Sequence, residues 1–373
     1  MGSTVVDRLR QQAKAAALGP QRAVAMADLA AALARTGEGD EAQRLIEDAS
    51  QLAQDTRVAA DADCACALAL ARALAAYFSR RHADCEQALD ILINLAGHHA
   101  RPDWEAMARG WLSTTCFVRS AVVPAVEHAV AGLALHSAGG PRQAEAQARL
   151  RLSVANLFAW CDLTQEATPW YLAAHRLARA ADDDIMTEAV LHKLALVQAE
   201  EVTDLFLDGR QDTARWREAL AGLQSSQSLM QQLGVTALDA VMPLTRANLL
   251  MAAGDFAGAC ALYDTQLDRA RDQQLHSHHA QALACRAVCS AELGRPDAAR
   301  ADMAEAGALW ASLGPGGRAG LARGLARAAQ ALQDEMLRTH WVQQFTRAHA
   351  EVDGLHERLR HALAAQVPPA PVD

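Results

Sequence analysis

The sequence has few aromatic residues, and stretches that alternate β-branched or aromatic residues with polar ones are nearly absent. Aromatic residues make up 4% of the 373 residues, whereas 51% are hydrophobic, and much of that fraction is alanine. Alternation with a period of two is the pattern of a half-buried strand. Alanine has the highest helix propensity and allows helices to approach closely. The sequence therefore predicts an all-α protein.

The sequence also lacks a basic surplus and long apolar runs. Its 35 basic and 44 acidic residues give a net charge of −9. Non-specific binding to nucleic acid or anionic lipid needs a basic face. No apolar run approaches the roughly 20 residues of a membrane span, and residues 1–20 lack the apolar segment of a secretory signal. We therefore expect a cytoplasmic protein that binds neither nucleic acid nor a membrane.

The eight cysteines are scattered through apolar segments with helical spacing, where cysteine behaves as a small hydrophobic residue. This distribution favours a reducing compartment without disulfides. On one helix His278, Cys285 and Cys289 would share a face, but a closed zinc site needs four ligands. Small apolar thiols in a helical core explain the pattern better, and we expect neither a metal nor a cofactor.

A local pattern of small residues around a turn indicates the architecture. Ala247 precedes Gly254 by seven residues, Ala259 follows it by five, and Tyr263 follows it by nine. Gly254 can end one helix because it tolerates positive φ, and Asp255 can cap the next. A small residue recurs after each turn of the chain. These residues are Ala42, Ala88, Ala125, Ala167, Ala214, Ala259 and Ala299.

This pattern resembles the tetratricopeptide-repeat superfamily over roughly Gln21–Leu313, with a period longer than the standard of about 34 residues. The resemblance implies about seven helix pairs stacked in a right-handed α-α superhelix. Residues 319–366 have the pattern of one long helix. A repeat array followed by such a helix resembles the sensory region that precedes GGDEF domains in bacterial diguanylate cyclases. No GGDEF-like string occurs, so this likeness implies a sensor or docking role.

The sequence divides into four segments on these grounds. Residues 1–20 form an N-terminal helix or arm, 21–313 the repeat solenoid, 319–366 the long helix, and 367–373 a proline-rich disordered tail. The long helix has apolar residues at alternating steps of three and four, which is typical of a coiled coil and predicts a homodimer. The predicted dimerisation residues are Phe345, Val352, Leu355 and Leu359.

In the superfamily the first helices of successive pairs line a concave groove, and an asparagine on that helix often binds the backbone or a carboxylate of the ligand. An asparagine side chain both donates and accepts hydrogen bonds, and an arginine adds a forked cation that suits a carboxylate. These residues lie equally well on a solvated surface. The groove residues predicted to bind a ligand are Asn156, Asn248, Trp160, Arg149, Tyr77, Arg80, Arg81 and Thr114.

The pattern favours a non-enzymatic regulatory or scaffold protein that binds a peptide, a protein segment or an effector in its groove. The alternative is the sensory and dimerising half of a signalling protein. An enzyme is the weaker hypothesis. Gly314–Gly320 is glycine-rich, but it lacks the Lys-Ser/Thr ending of a phosphate-binding loop, and no nucleophile-elbow pattern occurs.

Overall fold

The computed structural model describes residues 4–55, 58, 60–135, 139–237 and 240–370, and these ranges contain 17 α-helices, one short 3-10 helix and no strand. The first nine helices are α1 Val5–Ala15, α2 Pro20–Thr36, α3 Gly39–Leu52, α4 Ala62–Phe78, α5 His82–His98, α6 Pro102–Val118, α7 Val122–Leu133, α8 Gln143–Trp160 and α9 Thr164–Ala180. The others are α10 Asp184–Leu207, α11 Thr213–Leu233, α12 Val241–Ala252, α13 Phe256–Asp272, α14 His276–Glu292, α15 Pro296–Ala308, the 3-10 helix Trp310–Ser312, α16 Pro315–Ala331 and α17 Glu335–Gln366.

The helices belong to two compact units. Unit 1 comprises Met1–Leu191, Leu229–Ala237 and Arg358–Asp373. Unit 2 comprises His192–Ser228 and Leu238–Glu357. In unit 1 the first helices α2, α4, α6 and α8 pack each against the next, and a second helix backs each of them. In unit 2, α12, α14 and α16 follow the same order. The predicted fold class, an all-α TPR-like solenoid, is confirmed.

The motif around Gly254 is built as its sequence predicts. Gly254 has a φ of 84°, in the left-handed region, and the Asp255 carboxylate accepts a hydrogen bond from the Gly258 backbone N–H at 2.9 Å, which caps α13. Ala247, Ala259 and Tyr263 are completely buried. The small residues therefore set the close approach of α12 and α13, and the tyrosine fills the space between them.

A left-handed residue stands in every turn between the two helices of a pair. Glycine takes this place at four turns, and a residue with a side chain takes it at the other four, where the left-handed conformation costs roughly 1–2 kcal/mol. The pattern of turn glycines therefore identifies only half of the turns. The eight turn residues are Gly37, Arg80, Ser120, Asp162, Gly209, Gly254, Gly294 and Gln333.

The last of these turns corrects one prediction. The single helix predicted over 319–366 is two helices, α16 and α17, which are separated by a turn with Gln333 at φ 58°. They form an eighth helix pair. Sequence spacing missed the break because glutamine is a good helix former and gives no turn signal.

The predicted dimerisation residues of α17 pack within the chain. Val352 and Ala348 lie in a buried cluster in unit 2 with Ala319, and the half-buried Phe345 packs against it. Leu359 is completely buried, and Leu355 is half-buried. A dimer through this seam would have to displace these contacts, and dimerisation stays a prediction. Residues 371–373 of the predicted tail lie outside the described residues.

Candidate functional site

Two arginines, one just before a helix and one on it, stack on two tryptophans of the neighbouring helix. On α6, Trp104 and Trp111 are seven residues apart and share a face. Arg142, just before α8, and Arg149, on α8, are also seven apart. The Cζ atom of Arg142 lies 4.2 Å from the centre of the Trp104 ring, and that of Arg149 lies 3.8 Å from the centre of the Trp111 ring. These are two copies of one cation–π contact in the same register.

The first arginine, Arg142, also has a carboxylate partner. Its Nη2 donates to both carboxylate oxygens of Asp28 on α2, each at 2.6 Å. Its Nη1 lies 3.7 Å from an oxygen of Glu145. Burial lowers the pKa of Arg142, but Asp28 and Glu145 raise it by more, so its pKa lies above the ordinary value. The fold thus satisfies the charge of this guanidinium.

The second arginine, Arg149, has no such partner. Its side chain is buried, with 6% of the residue exposed. Within the described ranges no carboxylate lies within ion-pair distance of its guanidinium, and its Nε has no hydrogen-bond partner. Burial lowers the pKa of Arg149 to about 9, and the charge of Arg35 adds to this shift. The carboxylates of Asp183 and Glu145 raise the pKa of Arg149, but neither forms an ion pair with it. At neutral pH the group is therefore a buried cation without a direct ionic partner in the described chain.

The Arg149 side chain lines a cavity of about 140 Å³ in unit 1. Apolar side chains form most of its wall, and seven charged side chains form the rest. The apolar lining comprises Val5, Leu9, Ala31, Ala32, Leu70, Leu74, Met107, Trp111, Ala181, Ile185 and Met186. The charged lining comprises Asp28, Arg35, Arg142, Glu145, Arg149, Asp182 and Asp183. An engineered cavity of about 150 Å³ accommodates benzene, so this one has room for one side chain.

At one side of the cavity α2 contacts the start of α10. Arg35, near the end of α2, donates to the two oxygens of Asp183 at 3.1 and 3.4 Å. Asp183 also caps α10, because its Oδ1 accepts from the Met186 backbone N–H at 2.9 Å. Both side chains are about nine-tenths buried. This pair joins residues 148 positions apart in sequence, and both of its side chains line the cavity.

The turn after α2 makes a second contact between residues that are far apart in sequence. The backbone carbonyl of Thr36 accepts hydrogen bonds from the Thr236 and Ala237 N–H groups at 2.8 and 3.2 Å. A Cβ added to Gly37 would lie 2.6 Å from Thr236 Oγ1 and 2.7 Å from Ala237 N. Only glycine fits there, because the position combines a φ of 99° with direct backbone contact.

The N-terminal helix α1 covers one side of the cavity. Its Val5 and Leu9 side chains belong to the lining. Arg8 Nη2 donates to the Asp182 carbonyl at 2.5 Å, and Arg10 Nη2 lies 3.3 and 3.1 Å from carboxylate oxygens of Glu38 and Glu41. These polar contacts are exposed, so each adds little stability. The attachment of α1 therefore rests mainly on apolar contacts, such as those of the buried Val6 and Ala13.

Among the predicted groove residues, Arg149 lies in the cavity and the two asparagines do not. The Oδ1 atom of Asn156 accepts from the Tyr171 hydroxyl at 2.8 Å, and that of Asn248 accepts from the Tyr263 hydroxyl at 2.6 Å. Each tyrosine follows its asparagine by 15 residues and lies on the second helix of the same pair. The two asparagines thus join the helices of a pair, which occupies their acceptor atoms.

Three of the other predicted groove residues make contacts within one helix or between aromatic rings. Thr114 donates to the Gly110 carbonyl at 3.0 Å within α6. Tyr77 packs edge-on against Trp111 at 5.4 Å, directly behind the cavity wall, and Trp160 packs edge-on against Phe117 at 5.6 Å.

The predicted arginines at the turn after α4 do not line the cavity. Arg80 occupies the left-handed position of that turn with φ 61°. Arg81 is exposed and pairs with Asp84 at 2.8 Å. Ligand binding by all of these residues stays a prediction.

The spacing of charged residues in the sequence is a signal from which part of this site can be identified. Arg142, Glu145 and Arg149 lie at steps of three and four, so they share one face of a helix whose other residues are mostly apolar. A charged stripe on a helix that packs on both sides needs partners from elsewhere in the chain. The identity of those partners, Asp28 and Asp183, depends on tertiary structure.

Unit 2 contains a larger pocket, of about 250 Å³, near the start of α11. The Trp216 Nε1 atom there donates to the Leu249 carbonyl at 2.7 Å. Its lining includes no buried charge without a partner among the described residues, so unit 1 is the better candidate. Within the same ranges no three His, Cys, Asp or Glu side chains are placed to share a metal ion. In the described part of the chain no helix has the length and apolar character needed to cross a membrane.

Comparisons with known proteins give the fold but no family. No family model and no curated protein match the sequence. Among solved structures, the crystal structure of a Rap protein complexed with Competence and Sporulation Factor is similar at 14% identity. The likeness covers 93% of this chain and 99% of that chain, with a TM-score of 0.58. At this identity it shows a shared helical-repeat fold. The resemblance to cyclase sensory regions stays a prediction.

Proposed function

We propose that the protein is a non-enzymatic regulatory protein, and that unit 1 binds a short peptide or the end of a protein segment. The supporting observation is the cavity, which has an apolar wall, room for one side chain and a charged rim. Apolar pockets with a few well-placed polar groups are typical ligand sites. The Rap protein of similar fold was crystallised in complex with Competence and Sporulation Factor.

The chemistry of the lining supports binding over catalysis. Among the described residues that line the cavity there is no Ser, Thr, Cys, His, Lys or Tyr. Asp28 and Asp183 each accept two hydrogen bonds from an arginine, so neither is free to act as a base. The other two carboxylates of the lining, Glu145 and Asp182, have no hydroxyl, thiol, imidazole or amine beside them in it, so a nucleophile paired with a general base is missing from this lining. No observation favours the signalling alternative, because the seam that it needs packs within the chain.

A peptide selection tests this proposal. The purified full-length chain is immobilised, a random library of short linear peptides is selected on it, and the enriched peptides are measured by fluorescence anisotropy. Ala32 lines the cavity and is 5% exposed, so Ala32→Trp fills the space. We expect this variant to weaken peptide binding by about tenfold or more, the loss of roughly one buried apolar contact.

Two controls accompany the selection. Ala83 is exposed on α5, and Ala83→Trp should leave the dissociation constant unchanged. Ala31→Leu is a smaller filling that serves if Ala32→Trp unfolds the chain, as shown by circular dichroism. The proposal fails if no peptide is enriched, or if the enriched peptides bind the filled variants as tightly as the wild type.

A further inference from the structure

We propose that Arg149 is the binding residue for a carboxylate of the ligand, and that this carboxylate is the free C-terminus of the bound peptide. The inference rests on the function proposed for unit 1. It concerns one atom group in the cavity, the guanidinium that lies over Trp111.

The neighbouring arginine shows which partner this geometry accepts. Arg142 and Arg149 make the same stacking contact, each with a tryptophan of α6 in the same register. At Arg142 the guanidinium also binds a carboxylate, that of Asp28, through two hydrogen bonds. At Arg149 the described chain supplies no carboxylate, and the group lines the cavity. A guanidinium with one face on an aromatic ring keeps its N–H groups, which lie in the guanidinium plane, available for a carboxylate.

Of the four carboxylates in the lining, those of Asp28, Asp183 and Glu145 lie near other arginines, and Asp182 is exposed. Asp183 accepts two hydrogen bonds from Arg35 and one from the Met186 N–H. Glu145 lies between Arg35 and Arg142, 3.9 and 3.7 Å from their nitrogens. Neither can reach Arg149 without leaving these positions. An incoming carboxylate would therefore neutralise the one buried cation in the lining that lacks an ionic partner.

The size of the cavity favours a chain end as the source of the carboxylate. A C-terminal residue presents its side chain and its carboxylate from the same Cα atom, and only one end of the peptide then has to leave the site. An internal Asp or Glu would need room for the chain in both directions. A cavity of about 140 Å³ with an apolar wall suits one apolar side chain beside the carboxylate.

Three small probes test the inference without knowledge of the natural ligand. N-acetylleucine carries a terminal carboxylate and an apolar side chain, and N-acetylleucinamide is the same molecule without the charge. The α-amide of N-acetylaspartate carries its carboxylate on the side chain. Ligand-observed NMR titration of the full-length chain gives the dissociation constant of each. We expect N-acetylleucine to bind about tenfold or more tightly than its amide, as for a hydrogen bond to a charged group.

Variants show whether Arg149 is responsible. Arg149→Met should weaken N-acetylleucine binding to the level of the amide, and Arg149→Lys should recover part of it, because lysine retains the charge but loses the fork. The matched control is Arg151→Met on the same helix, where the arginine donates to Gln147 at 2.6 Å and does not line the cavity. Binding should be unchanged in that variant.

The outcomes separate the inference from the proposed function. Equal binding of the acid and the amide, no binding of the acid, or full binding by Arg149→Met would overturn the carboxylate site. The function would stand in that case if selected peptides still depended on Ala32. Arg149-dependent binding of the aspartate amide in place of N-acetylleucine would retain the carboxylate site and contradict the chain end as its source.

Discussion

Replacing Arg142 with methionine is expected to lower the free energy of unfolding by about 3 kcal/mol, whereas the same replacement of Arg149 should leave it unchanged or raise it. Removing Arg142 leaves the Asp28 carboxylate without the two hydrogen bonds that it receives in unit 1. Both side chains of this pair are 19% exposed, so the loss should lie near the lower end of the range for a buried pair. Arg149 has no carboxylate to leave behind, and methionine retains most of its packing against Trp111.

Urea denaturation followed by circular dichroism measures both changes. The exposed pair Arg271–Asp268, at 59% and 75% exposure, is the control, and Arg271→Met should cost no more than about 1 kcal/mol. A loss of about 3 kcal/mol in Arg149→Met would show that Arg149 has a structural partner in the chain. That result would remove the main argument that this arginine is reserved for a ligand.

Replacing Gly37 with alanine is expected to cost clearly more than replacing Gly254. Both residues are in the left-handed region at the turn of a helix pair, and alanine there costs roughly 1–2 kcal/mol. The Gly37 site adds a collision of the new Cβ with Thr236 Oγ1 and Ala237 N, whereas nothing lies within 4 Å of the corresponding position at Gly254. Overpacking of this kind adds about 1–3 kcal/mol.

The same urea measurement on Gly37→Ala and Gly254→Ala isolates the packing contribution, since the conformational cost is common to both. Amide hydrogen exchange of the Thr236 and Ala237 N–H groups, which donate to Thr36, should speed up in Gly37→Ala and not in Gly254→Ala. Equal costs in the two variants would contradict the close contact of this turn with residues 236–237.

The helix pairs could be predicted from sequence because their pattern is local. Small residues such as Ala247 and Ala259 are completely buried where two helices approach, and their distance from the turn is fixed by helix geometry. The turns at Arg80, Ser120 and Gln333 could not be predicted in the same way. Their left-handed conformation is tolerated because packing of the pair outweighs a cost of roughly 1–2 kcal/mol.

The cavity could be predicted only in part. The spacing within α8 places Arg149 on the predicted groove face of that helix, and the structure puts its side chain in the cavity. The Arg35–Asp183 and Arg142–Asp28 pairs join residues 148 and 114 positions apart, so they depend on how successive helix pairs are rotated. The Asn156–Tyr171 hydrogen bond shows why spacing did not determine the role of this groove residue. An asparagine at a groove position is also well placed to join its own helix pair, and spacing does not distinguish the two.

The most direct test of the account is a crystal structure of the full-length chain with a peptide obtained by the selection described above. We predict that the last residue of the peptide lies in the cavity of unit 1, with its carboxylate within hydrogen-bond distance, about 2.7–2.9 Å, of the Arg149 guanidinium. A peptide bound to unit 2 or to the outer helices of unit 1, with the Arg149 cavity unchanged, would contradict it.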